Sequence, residues 1–331
     1  MLATASIAAA AGCGGGGGGL PRASSFKVVH TLRLGPRPAP SRARPTLLAT
    51  SETRVVAVSV PGGRTRTLFE PGKRSDPVMV AAPSWAPDGR SFVAVTGYGA
   101  DGRAVVAELG SGLRRTLAGR PFHPAYPPVS FSPDGRHLLY PRPGALYAYD
   151  LRRRRELTLV SGPLRSGSTV AWSPDARRIA LDRDGGGIVV VDLRASTVGV
   201  LTRDGAAPSW SPDGKRIAFA TTRGVRAKRC GEDGCHPTSD VDVIQSDGTG
   251  RRRLTHTQGD EWSPSWSPDG RLLAAQLRDG KTDYDGTFGL VTFAPDGSCY
   301  RTLVPAPGHL LGLGVNPWRP GSRPAAGTRG C

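Results

Sequence analysis

Eleven residues, Ser209-Trp210-Ser211-Pro212-Asp213-Gly214-Lys215-Arg216-Ile217-Ala218-Phe219, constrain the fold more than any other stretch of the chain. Ser-Pro-Asp-Gly fits a type I turn: Ser at the first corner, Pro fixing φ at the second, Gly at the fourth. Trp210 precedes the turn as a large apolar anchor. After it, Ile217 and Phe219 alternate with smaller neighbours, the period-two signature of a strand with one buried face. The stretch therefore reads as strand, tight turn, strand.

The unit recurs. Trp85, Phe131, Trp172 and Trp266 each stand before a like turn, and Trp318-Arg319-Pro320-Gly321 is a worn further copy. The anchors are spaced by 46, 41, 38, 56 and 52 residues. A period near 40 built from short strands predicts propeller blades of four strands each. Gly (45) and Pro (30) are frequent enough to supply the many turns this needs, and no segment sustains a helical period.

Six blades are expected between residues 46 and 320. Thr46–Thr50, Arg54–Val60 and Arg64–Phe69 match the second, third and fourth strands of later repeats, with nothing before them to serve as a first. The segment His309–Trp318 has the opposite lack. The two ends are therefore expected to share one blade, closing an all-β, six-bladed ring and removing two exposed sheet edges. Each anchor aromatic is expected between neighbouring blades.

The repeated Trp-Ser-Pro-Asp-Gly-Lys/Arg followed by an Ile-Ala-Phe type strand resembles the Pro-Asp variety of WD-like repeat found in TolB and in the propellers of prolyl-oligopeptidase-type peptidases. The resemblance covers about residues 46–320. It departs at Ala86, which replaces the turn Ser, at Ala176, which replaces the turn Gly, and at the last copy, which lacks the Asp. It is a resemblance to the propeller half of TolB only, since about 45 residues precede the first blade. The peptidases carry an α/β-hydrolase domain, and no Gly-x-Ser-x-Gly nucleophile elbow is present. The resemblance implies a binding module for a protein or cell-envelope partner, working as a monomer through loops and the channel mouth. The alternative it implies is a propeller enzyme (hydrolase, lyase or cofactor-dependent dehydrogenase) with channel residues as catalysts.

The N-terminus points the same way. Residues 2–12 are small, apolar and uncharged, and they end at Cys13. The run is too short to span a bilayer and reads as a secretory signal, residues 1–13. Ala10-Ala11-Gly12-Cys13 is similar to a bacterial lipobox, which makes Cys13 the candidate lipidation site and the membrane a partner. The usual large aliphatic residue is replaced by Ala10, and no basic residue precedes the run. Residues 14–45, with Gly14–Gly19 and a Pro/Arg-rich stretch, read as a flexible spacer. Within it, Phe26 to Leu34 is a candidate stray strand. Residues 321–331 form a tail. An extracytoplasmic, membrane-anchored or secreted location is the expectation.

Cys230 and Cys235 lie in Cys-Gly-Glu-Asp-Gly-Cys inside an insertion in the fifth blade, Thr222 to Asp240, the most individual loop and the candidate partner contact. Cys299 and Cys331 stand near the end. For an exported chain, Cys230–Cys235 and Cys299–Cys331 are the expected disulfides. The rival reading, zinc on Cys230, Cys235 and His236, lacks a second ligand pair. No catalytic, cofactor or metal residue is expected. The net charge of +17, almost all Arg, is compatible with an anionic polymer. However, Arg152–Arg155 and Arg251–Arg253 fall at expected strand corners and no RNA-binding signature is present, so nucleic acid is not the expected partner. The Asp-rich turns at Asp182–Gly185 and Asp283–Gly286 lack the twelve-residue calcium-loop pattern and read as hairpins.

Overall fold

The computed structural model describes residues 20–321 apart from 41–43, 52, 72–78, 98–102, 110–113, 118–127, 166, 223–227, 232–233, 258, 279–287, 306–309 and 311. Every described element is a strand. Six antiparallel four-stranded blades surround one axis. The first blade is shared between the ends. Strands Thr46–Ser51, Arg54–Ser59 and Thr65–Phe69 are completed on the inside by Gly312–Trp318, with Leu47 opposite Trp318 and Thr50 opposite Gly312. The second blade spans Met79–Thr116, the third Ser130–Ser161, the fourth Val170–Thr202, the fifth Ala206–Arg253 and the sixth Asp260–Val304.

The turn chemistry holds in detail. In the fifth blade the Gly214 N–H donates to Ser211 O at 2.9 Å and the Lys215 N–H to Asp213 Oδ1 at 3.0 Å. Ser211 Oγ donates to Asp213 Oδ1 at 2.5 Å and accepts from the Arg216 N–H at 2.9 Å. Gly214 has φ 70, a left-handed conformation that favours glycine at the fourth corner. Ala176 takes that corner in the fourth blade at φ 60, a conformation that costs a residue with a Cβ about 1–2 kcal/mol. Ala176→Gly, which trades that strain against a looser unfolded chain, is expected to raise stability by about 0.5–1 kcal/mol, read as a higher urea midpoint at constant slope. An unchanged or lowered midpoint would show that the turn carries no strain there.

The anchors bind the blades through contacts no single repeat reveals. The indole N–H of each of three tryptophans donates to the carbonyl just before the anchor of the preceding blade. These bonds are Trp85 Nε1 to Pro317 O at 3.0 Å, Trp210 Nε1 to Ala171 O at 3.2 Å and Trp318 Nε1 to Ser265 O at 3.0 Å. An arginine of the preceding blade also covers the ring: Arg178 over Trp210, Arg216 over Trp266 and Arg319 over Trp85, at 4.7, 4.8 and 5.2 Å. Turns stack too, for the position of a Cβ at Gly135, Gly214 and Gly270 falls 3.6 Å from Pro87, Pro174 and Pro212 of the blade before.

The seam between the third and fourth blades lacks this latch. His137 stands where Arg178 and Arg216 stand elsewhere, and both Trp172 Nε1 and His137 Nδ1 are buried without a hydrogen-bond partner. The N-terminal segment crosses this same seam. The Ala23 N–H donates to Val198 O of the fourth blade (2.9 Å), and Lys27 and Val28 pair with Ser161 and Val160 at the outer edge of the third. Ala23 and Phe26 complete a core cluster made from both blades. Residues 20–32 of the stretch expected as a flexible spacer are therefore packed, and of the stray strand only Lys27–Val28 forms. The physical reason lies in two notches. A Cβ on Gly162 would sit 2.2 Å from the Phe26 ring, and one on Gly199 would sit 2.5 Å from Leu20 Cβ.

Candidate functional site

The inner strand of each blade is a sheet edge turned toward the axis, and the edges of the first and second blades meet in a parallel bridge at Asn316 and Ser84. Proline is tolerated on such an edge because it withholds a donor that would find no strand to pair with. Pro83, Pro208, Pro264 and Pro317 all lie on inner strands, one or two residues before an anchor. The turns that follow add a second ring of prolines. The result at the turn end of the axis is a cavity of about 1060 Å³, with edges of all six anchors (Trp85, Phe131, Trp172, Trp210, Trp266, Trp318) on its floor and turn prolines on its walls. Five of the six rings are buried and Trp172 is half-buried, so they are packing residues with an edge toward the cavity.

The rim carboxylates are engaged within their own turns. Burial pushes Asp134, Asp175 and Asp213 upward, but the Ser hydroxyls and backbone N–H groups that each accepts outweigh it and hold them below the ordinary carboxylate range. Asp269 likewise accepts from Ser267 Oγ (2.7 Å) and the Arg271 N–H (3.2 Å). Among the described residues, the titratable lining consists of Arg37, Asp269 and Arg271. Such a surface offers shape, apolar edges and fixed charge rather than a paired acid and base.

Arg37 and Pro40 line the mouth although they come from the N-terminal segment. The Gly35 N–H donates to Asp134 Oδ2 at 2.8 Å, carrying the segment over the third-blade turn. Arg37 stands among protein atoms while keeping contact with water, and desolvation pulls its guanidinium below its ordinary value. Sequence reading did not place these residues here. The signal was Gly199, a glycine inside strand Thr197–Thr202 with no turn to make.

The remaining candidates are dispersed. Cys13 and Cys331 lie outside the described residues. The fifth-blade insertion forms a hairpin of Lys228–Gly231 and Gly234–Pro237 that sets Cys230 directly opposite Cys235. It joins the second strand to the third, the opposite end of the blade from the Ser-Pro-Asp-Gly turns. Cys299 stands in the turn before the last strand of the sixth blade at φ 59. His137 Nε2 lies 3.8 Å from Asp150 Oδ2. Among the described residues no three His, Cys, Asp or Glu side chains gather as a metal site would require. Asp182 receives the Thr169 N–H inside its own blade, and the other Asp-rich turn, at 283–286, is not among the described residues.

No protein-family model matches the chain, and no curated protein sequence does. Solved structures do match. TolB from Acinetobacter baumannii superposes with a TM-score of 0.65 at 20% identity, over 86% of this chain and 68% of that one. A putative TolB from Agrobacterium tumefaciens gives 0.59 at 19% identity, over 82% and 91%. A chain of a nidogen/laminin complex gives 0.61 at 11% identity, over 84% and 100%. At these identities the likeness is one of fold: a TolB-like six-bladed propeller.

Proposed function

We propose that the protein is an exported, lipid-anchored propeller that recognises a protein partner of the cell envelope at the mouth of its channel. The observation that carries the reading is the mouth itself, an aromatic-floored, proline-walled cavity whose rim carboxylates are engaged within their turns. Surfaces of this kind bind by shape and apolar edges. The TolB-like fold supports an envelope role. Pro212 and Pro268 are exposed on the cavity wall, so the pair Pro212→Glu and Pro268→Glu is expected to leave folding intact and to abolish capture of the partner that the unaltered protein retains from membranes. Equal capture by the folded double variant would remove the mouth as the site.

Anchoring rests on Cys13 after its apolar run, and Cys13→Ser is expected to move the protein from the membrane to the soluble fraction. Retention on the membrane would end that part of the proposal. Export also fits two disulfides. Cys230 is paired in register with Cys235 across the hairpin, which supports one bond, and we propose Cys299–Cys331 as the other. Alkylation without reductant is expected to label none of the four. Labelling of all four would sink the pairing.

A further inference from the structure

The segment crossing the third and fourth blades has two unlike halves. Residues 20–32 are clamped. The Val200 N–H donates to Pro21 O (2.7 Å), the Val29 N–H to Leu159 O (2.8 Å), and Phe26 is buried in its glycine notch. Residues 34–40, Leu-Gly-Pro-Arg-Pro-Ala-Pro, are held lightly. Among the described residues Gly35 makes the segment's one hydrogen bond, to Asp134, while Pro36, Arg37, Ala39 and Pro40 remain exposed to water at the mouth.

We propose that residues 34–40 are a tethered ligand for the channel mouth, and that the mouth reads an extended peptide of this chemistry: alternating prolines with an arginine among them. The inference rests on the reading of the mouth as a recognition site and adds what it recognises. Three prolines at alternate positions hold the tip extended before it docks, so little chain entropy is lost on binding. A proline-walled, aromatic-floored cavity is the surface on which such segments dock through ring faces rather than a hydrogen-bond ladder. Held by the clamp at 20–32 on one side and by strand Thr46–Ser51 of the first blade on the other, the segment stays at the mouth at an effective concentration of roughly millimolar, the value for short linkers. A partner segment must displace it, so the unaltered chain binds partners more weakly than its mouth alone would.

The test uses the full chain and a fluorescent peptide of residues 34–40 as probe, read by anisotropy. In one variant Pro36, Arg37, Pro38 and Pro40 are all changed to Ser, leaving the clamp intact. This variant is expected to bind the peptide at least tenfold more tightly than the unaltered chain. Adding Pro212→Glu and Pro268→Glu to it is expected to weaken that binding at least tenfold. Equal affinity of the unaltered and tip-changed chains, no binding to either, or binding indifferent to the wall substitutions would each overturn the proposal. Failure here, with partner capture still dependent on Pro212 and Pro268, would leave the mouth as a recognition site with a different ligand. Capture indifferent to those prolines would instead remove the site itself.

Discussion

Trp210→Ala is expected to lower stability by about 3–5 kcal/mol, the usual range for deleting a buried aromatic side chain. Trp210 is 6% exposed and packs with Ala171, Ile188, Ile217 and Phe219, so its removal opens a hole shared by two blades. The loss has two further parts. Ala171 O would lose its donor, and the Arg178 guanidinium would lose the ring beneath it. Trp210→Phe keeps most of the volume and the ring face but not the N–H, and is expected to cost about 1–2 kcal/mol. Trp172→Ala is expected to cost less than Trp210→Ala, although the residue and its place in the repeat are the same. Its ring is half-buried and its N–H has no partner. Urea unfolding at constant slope measures all three. A melting curve unmoved by Trp210→Ala would remove the anchor role, and equal costs at Trp172 and Trp210 would show that the indole latch contributes nothing.

That contrast marks the boundary of what the sequence makes legible. The turn is local chemistry: Ser211, Asp213 and Gly214 satisfy one another within a few residues, so four letters suffice to read it. Ring closure is legible for a related reason. Three strands without a first at one end and a first without successors at the other admit few solutions, and Leu47 does face Trp318. The latch between blades is not local. The partner of Trp210 lies 39 residues away and that of Trp85 lies 232 away, and no pattern within one repeat specifies either. The N-terminal segment was harder still. Its glycines and prolines carry no strand period, and the features that hold it, Gly162 and Gly199, lie far along the chain where they look like ordinary small residues. The mouth followed from the repeat as a place, while its occupant did not.

Arg251 supports the other large expected effect, because it fastens the fourth blade to the fifth. Its guanidinium reaches Asp204 Oδ1 and Oδ2 at 2.6 and 2.8 Å and Asp242 Oδ2 at 2.7 Å, with the Phe219 ring 4.9 Å away. The hydrogen bond from Arg251 holds the Asp204 carboxyl well below the usual range, against the opposing push of burial. A depressed folded-state value means that the unfolded chain binds the proton more readily. The stabilisation is therefore present above the ordinary carboxylate pKa of about 4 and is lost as pH falls through the folded value. Arg251→Leu keeps the apolar stem over Phe219 but leaves Asp204 without a cation and Asp242 with Arg253 alone. It is expected to cost about 2–4 kcal/mol at neutral pH, toward the lower side for a broken buried pair because Asp204 is a third exposed. The cost is expected to shrink as the medium is acidified below pH 4, where Asp204 takes up its proton in the variant but not yet in the parent. Asp182 acts in the opposite sense: burial pushes it up to about 6, so its contribution falls as pH rises from about 4 toward that value. Both proteins share that term, and it cancels in their difference. Unfolding free energies of parent and variant at pH 3, 5 and 7 provide the measurement. A difference that stays constant across that range would mean that Arg251 acts through packing alone and that the ion pair does not join the two blades.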